Sequence, residues 1–133
     1  MIDANVALRK AYWQRLNTLV TGVPAYDNVP ESAPDNYMFL SSDTAIDWST
    51  KTEFGQDVTQ EIQVITHEDG SKHYCAEIVG RVVESIRGNP LTVEGYNNMV
   101  TVLELRQVFD GDYDNEGKIT RGIVRFRHLL AQN

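Results

Sequence analysis

Residues 56–90 read QDVTQEIQVITHEDGSKHYCAEIVGRVVESIRGNP, and the hydrophobic period changes once within them. Up to Thr66 the pattern has period two: Val58, Gln60, Ile62, Val64 and Thr66 alternate with Thr59, Glu61, Gln63 and Ile65, as in a strand with one buried face. After the turn formers His67-Glu68-Asp69-Gly70, Cys75, Ile78, Val79, Val82, Val83 and Ile86 recur at the spacing of an amphipathic helix over about 71–87. Ser71 is placed to cap that helix, Gly88 stands where a left-handed terminator belongs, and Pro90 prevents continuation. A strand followed at once by a helix, with one apolar face each, demands a layer of sheet against a layer of helix.

Working outward, residues 3–20 carry Leu8, Tyr12, Leu16, Leu19 and Val20 at helical spacing, with Asp3 as the capping residue and Gly22 beyond the end. Three prolines, Pro24, Pro30 and Pro34, keep the next stretch extended. Short strands are expected at Ala25-Tyr26-Asp27 and at Tyr37-Met38-Phe39-Leu40. Residues 41–55 are polar, with Ile46, Trp48 and Phe54 as their large apolar groups, and lack a sustained period, so they read as a loop or arm. A short strand is expected over 91–95. Residues 98–130 then form a hairpin: Met99, Thr101, Leu103 and Leu105 alternate on one arm, Gly122, Val124, Phe126, His128 and Leu130 on the other. The stretch Asp110-Gly111-Asp112-Tyr113-Asp114-Asn115-Glu116-Gly117 supplies the turn. The expected fold is α+β in residues 1–133 as one domain: a two-layer sandwich of a mainly antiparallel sheet with two helices on one face.

Composition narrows function by exclusion. The net charge of −7 opposes phosphate gripping, which needs clustered cations. Arg121, Arg125 and Arg127 fall on one face of a strand and read as a solvated strand face. No stretch approaches the roughly 18 apolar residues of a membrane span, and the N-terminus lacks a secretory layout, so assembly in a cytoplasm is expected. A single cysteine, Cys75, leaves no internal disulfide and reads as core filler. Asp110, Asp112 and Asp114 have the spacing that opens a calcium loop. Asn115 stands where that loop needs Gly and Arg121 where it needs Glu, so they are a weak metal candidate, and a solvated turn is the better reading. His67, His73 and His128 form no ligand pair, no nucleophile elbow or glycine-rich phosphate loop occurs, and neither an enzyme nor a cofactor is expected. Trp48 in a polar stretch must either fold back or bury itself in a partner.

Several segments in this order resemble the tail completion family of long-tailed double-stranded DNA bacteriophages, also found in prophages and gene transfer agents. They are Ala25-Tyr26-Asp27-Asn28-Val29-Pro30, Tyr37-Met38-Phe39-Leu40, Asp47-Trp48-Ser49-Thr50-Lys51, the helix around 76–86, and the ending Asp114 to Gly117 followed by Arg121-Gly122-Ile123-Val124-Arg125-Phe126-Arg127. The segment Pro34-Asp35-Asn36 departs from the usual pattern, in which proline abuts the aromatic strand. The resemblance implies a structural virion subunit: a tail terminator ring, usually a hexamer, at the head-proximal end of the tail, touching the tail tube and the head connector while DNA passes through without specific binding. It implies no catalytic residue. Ile46, Trp48, Phe54, Asp112, Tyr113 and Asp114 are the expected interface residues. A head-side connector or adaptor ring, and a small cation-binding α+β module, are the alternative readings.

Overall fold

The computed structural model describes residues 3–49, 54–67, 72–114 and 117–133, the side chains of Asp112, Tyr113 and Asp114 excepted. Helix α1 (Ala4–Leu19) starts where Asp3 accepts hydrogen bonds from the amides of Asn5 and Val6. Then follow β1 (Ala25–Tyr26), β2 (Tyr37–Asp47), β3 (Gly55–Thr66), helix α2 (Lys72–Arg87), β4 (Tyr96–Asp114) and β5 (Gly117–Gln132). The strands form one sheet in the order β1-β2-β3-β5-β4, antiparallel except for β1 against β2. This is an α+β fold with a mainly antiparallel sheet.

Both helices pack on the sheet face made by Met38, Leu40, Val58, Ile62, Val64, Val124, Phe126 and Leu130. α1 contributes Leu8, Tyr12 and Leu16 to the core, and α2 contributes Cys75, Ile78, Val79, Val82 and Ile86. The helix and sheet approach closely at Gly122, where an added Cβ would lie 2.6 Å from Val79 Cγ2 and 3.1 Å from Cys75 Sγ. Only a residue without a side chain lets α2 lie this near the sheet.

Four local expectations are corrected. The expected loop over 41–55 is strand as far as Asp47, because β2 runs on past a register break at Leu40/Ser42 and pairs with β3 down to Asp47↔Gln56. Polar side chains hid the strand because this part of β2 is solvated on both faces, so no period had to be kept. Residues 91–93 are not a strand; Leu91 and Val93 are buried as irregular chain leading into β4. The hairpin connection is shorter than expected, since β4 reaches Asp114 and pairs it with Gly117, whose φ is +121°. Finally, Gly88 does not take a left-handed φ; its amide donates to the Glu84 carbonyl 2.8 Å away, continuing the helical pattern. The α2 terminus is capped from outside instead: the Arg15 guanidinium donates to the carbonyls of Ser85, Asn89 and Pro90 at 2.7, 2.5 and 3.2 Å. Ser71, the expected cap of α2, lies outside the described residues.

Candidate interaction surfaces

The sheet face away from the helices carries β5 residues Arg121, Arg125 and Arg127. Each has a polar partner on β3: Arg127 makes a bidentate contact with Asp57 (2.8 and 2.9 Å from Nε), Arg125 reaches Glu61 at 3.0 Å, and Arg121 donates to Gln63 at 2.6 Å. The hydrogen bonds from Arg127 hold the Asp57 carboxyl below the ordinary carboxylate range. For Glu61 burial acts upward, but hydrogen bonds from Ser41, Arg125 and Gln63 outweigh it and the carboxyl also sits low. The three arginines are thus a solvated strand face whose charge is directed at the neighbouring strand.

The arm formed by the ends of β2 and β3 displays Ile46 at 65% exposure and Phe54 at 62%. Trp48 behaves differently. Its indole lies where a Cβ on Gly55 would be, 2.1 Å from that position, its amide donates to the Gly55 carbonyl, and it is only half exposed. The ring has folded back onto its own arm, with the indole Nε1 buried and without a hydrogen-bond partner among the described residues. Of the expected interface residues, Ile46, Trp48 and Phe54 are therefore brought together at one end of the sheet, whereas the side chains of Asp112, Tyr113 and Asp114 lie outside the described residues. Asp110, the remaining member of the weak metal candidate, faces Lys72 and Lys118, each 3.5 Å away. Among the described residues no cluster of three potential metal ligands occurs.

Sequence reading missed a second apolar surface. β4 is an edge strand, and Met99, Val100 and Val102 on it are 54%, 41% and 43% exposed. Alternation identified the strand but could not say that it would be an edge. A third exposed pair, Val6 and Trp13, lies on the solvent side of α1, beside the Arg9 guanidinium that bridges Asp27 and Asp43. His128, read only as an inward strand residue, is fully buried and hydrogen-bonded to Tyr12.

Against known proteins, the chain is similar to the tail completion protein gp17 of Bacillus phage SPP1, with 26% identity over 134 residues, covering 98% of this chain and 96% of that protein. The solved structure of bacteriophage SPP1 gp17 superposes with a TM-score of 0.58 at 24% identity, covering 94% of this chain and 89% of that one. A chain in the virion of a native gene transfer agent particle superposes more fully, with a TM-score of 0.77 at 22% identity, covering 98% and 99%. The family model for tail completion protein gp17 matches residues 11–131, nearly the whole fold from α1 to the end of β5, and the chain therefore belongs to the tail completion protein gp17 family.

Proposed function

We propose that this chain is a structural tail terminator: a non-catalytic subunit that closes into a ring, a hexamer in the simplest case, at the head-proximal end of a phage-type tail. In this reading the ring caps the tail tube and meets the head connector. Family membership makes it a structural protein of the virion tail; the ring, its neighbours and its position are the proposal. The observation that carries it is the distribution of exposed apolar side chains. Ile46 and Phe54 stand on one flank of the sheet and Met99, Val100 and Val102 on the other, two different patches of the kind a head-to-tail contact requires.

Charge supports the same reading. A subunit of net −7 gives a strongly acidic ring, which repels DNA phosphates and favours passage of the genome over its retention. Of the arginines on the open sheet face, Arg125 and Arg127 are paired with Glu61 and Asp57, and Arg121 is hydrogen-bonded to Gln63, so the face offers a phosphate backbone little free positive charge. Assembly in the host cytoplasm belongs to this proposal too. The test is removal of the gene from its phage or prophage: electron micrographs should show full heads and finished tails lying apart, with joining restored by the supplied protein. Normally joined particles in the deletion would overturn the proposal.

A further inference from the structure

We infer that the ring closes by continuing the sheet from one copy to the next, with the outer edge of β2 around residues 44–46 pairing with the outer edge of β4 around residues 100–102 of a neighbouring copy. The inference rests on the ring reading above and adds the contact that would form it.

Both edges are unpaired among the described residues. β1 covers β2 only at Met38 and Phe39, and Arg9 then occupies the flank at the Leu40 carbonyl and Asp43, which leaves the edge open from Thr44 onward. β4 pairs with β5 alone. Single-copy proteins usually guard such an edge with charge or proline. The β4 run Tyr96-Asn97-Asn98-Met99-Val100-Thr101-Val102-Leu103 contains neither, and three of its apolar side chains face solvent.

Geometry makes the two edges complementary. Following the pairing across the sheet, Ile46 lies level with Asp57, Leu129 and Val100, and Thr44 lies level with Thr59, Arg127 and Val102. Ile46 and Val100 therefore sit in one row, on the face away from the helices. A second copy placed beside the first needs little displacement along the strands, the condition for a contact that closes; a large shift would propagate as a helix. Direction matches as well. With β2, β3, β5 and β4 successively antiparallel, β4 runs opposite to β2, so the added pair continues the alternation. The register breaks at Asn98/Val100 and Leu103/Leu105 bracket a four-residue regular run on β4, about the length of the open edge on β2.

Charge agrees with this choice of partner. Asp43 on the β2 edge is already paired with Arg9, and the open part of that edge beyond it carries one charged residue, Asp47. Beside the β4 run is a cleft of about 290 Å³ lined by Ile86, Arg87, Pro90, Asn98, Met99 and Thr101, which contains Arg87 and no carboxylate. An arm that brings Ile46 to Val100 also brings Asp47 level with Asn98, at the mouth of that cleft.

The test is a disulfide between copies. Ile46 and Val100 of one chain are three strand spacings apart, roughly 14 Å, too far to bridge internally, and Cys75 is buried. Both positions are exposed, so Ile46→Cys and Val100→Cys should melt as wild type does. Particles assembled from a mixture of the two single variants and mildly oxidised should yield a reducible covalent dimer. Neither variant alone should do so, and the double variant should give a ladder whose top rung counts the subunits. Particles that contain the chain but give only monomer from the mixture, or dimer from I46C alone, overturn the edge pairing and leave the tail reading standing. Particles that lack the wild-type chain overturn both.

Discussion

The phenol of Tyr12 and the imidazole of His128, 116 residues apart in the chain, meet at 2.5 Å with both side chains fully buried between α1 and β5. Asn98 Oδ1 lies 3.2 Å from His128 Nδ1 and can only accept, which puts the imidazole proton on Nδ1 and leaves Nε2 to accept from the Tyr12 hydroxyl. The ring is therefore a neutral bridge between the first helix, the edge strand and the last strand. Tyr12→Phe keeps the ring packing against Phe126 (centroids 6.5 Å apart) but leaves Nε2 buried and unpaired, a loss of about 1–3 kcal/mol. Chemical denaturation of the variant should show that loss with an unchanged slope; an unaltered midpoint would mean the contact carries no stability.

Burial lowers the His128 pKa from the ordinary 6.5 to about 4. Between these values the unfolded chain takes up a proton that the folded chain refuses. Stability is thus full above about pH 6.5 and declines on acidification down to about pH 4, by as much as ~1.4 kcal/mol per pH unit. The Asp57 and Glu61 carboxyls, held low, add their own loss only nearer the ordinary carboxylate range. Denaturation midpoints from pH 7 to pH 5 should fall for the wild type, and His128→Asn should flatten that part of the profile. A profile as steep in the variant would assign the slope to other groups.

Two glycines on facing elements should respond oppositely to alanine. At Gly122 the new methyl would collide with Val79 and Cys75, and overpacking of this kind costs about 1–3 kcal/mol. At Gly80, inside α2, it would meet only Arg106 Nη2 at 3.8 Å while removing backbone freedom from a helix, a gain of about 0.5–1 kcal/mol. Thermal melts of Gly122→Ala and Gly80→Ala should move in opposite directions.

Arg15→Ala should destabilise the chain by about 1–2 kcal/mol, because the Ser85 carbonyl in the last turn of α2 and the Asn89 and Pro90 carbonyls just beyond the helix lose a cationic donor. Arg15→Lys should recover only part, since an ammonium cannot reproduce the planar fork. Equal stability of Arg15→Ala and wild type would show that solvent serves the helix end as well as arginine does.

Replacing Ile46 and Phe54 together by serine should leave the melt within about 0.5 kcal/mol, as expected for exposed positions. The yield of joined particles should drop. Unchanged yield would remove the arm from the assembly contacts.

Local chemistry alone determined the elements whose burial is one-sided. The α2 stripe from Cys75 to Ile86, the alternation of β3, the Asp3 cap and the hairpin of β4 and β5 are legible because each needs a fixed period or a specific backbone partner. The family resemblance was legible for the same reason, through short segments that keep their order along the chain. Tertiary structure decided what depends on neighbours distant in sequence. The extension of β2 through Asp47 needed β3 beside it; the end of α2 needed Arg15, which comes from α1; and His128 became a buried bridge only when Tyr12 arrived from the other end of the chain. Whether Val100 and Val102 are core or surface was likewise undecidable from alternation, because period two names a face of a strand but not its place in the sheet. That place is set by which strands pair, a choice made by packing over the whole chain.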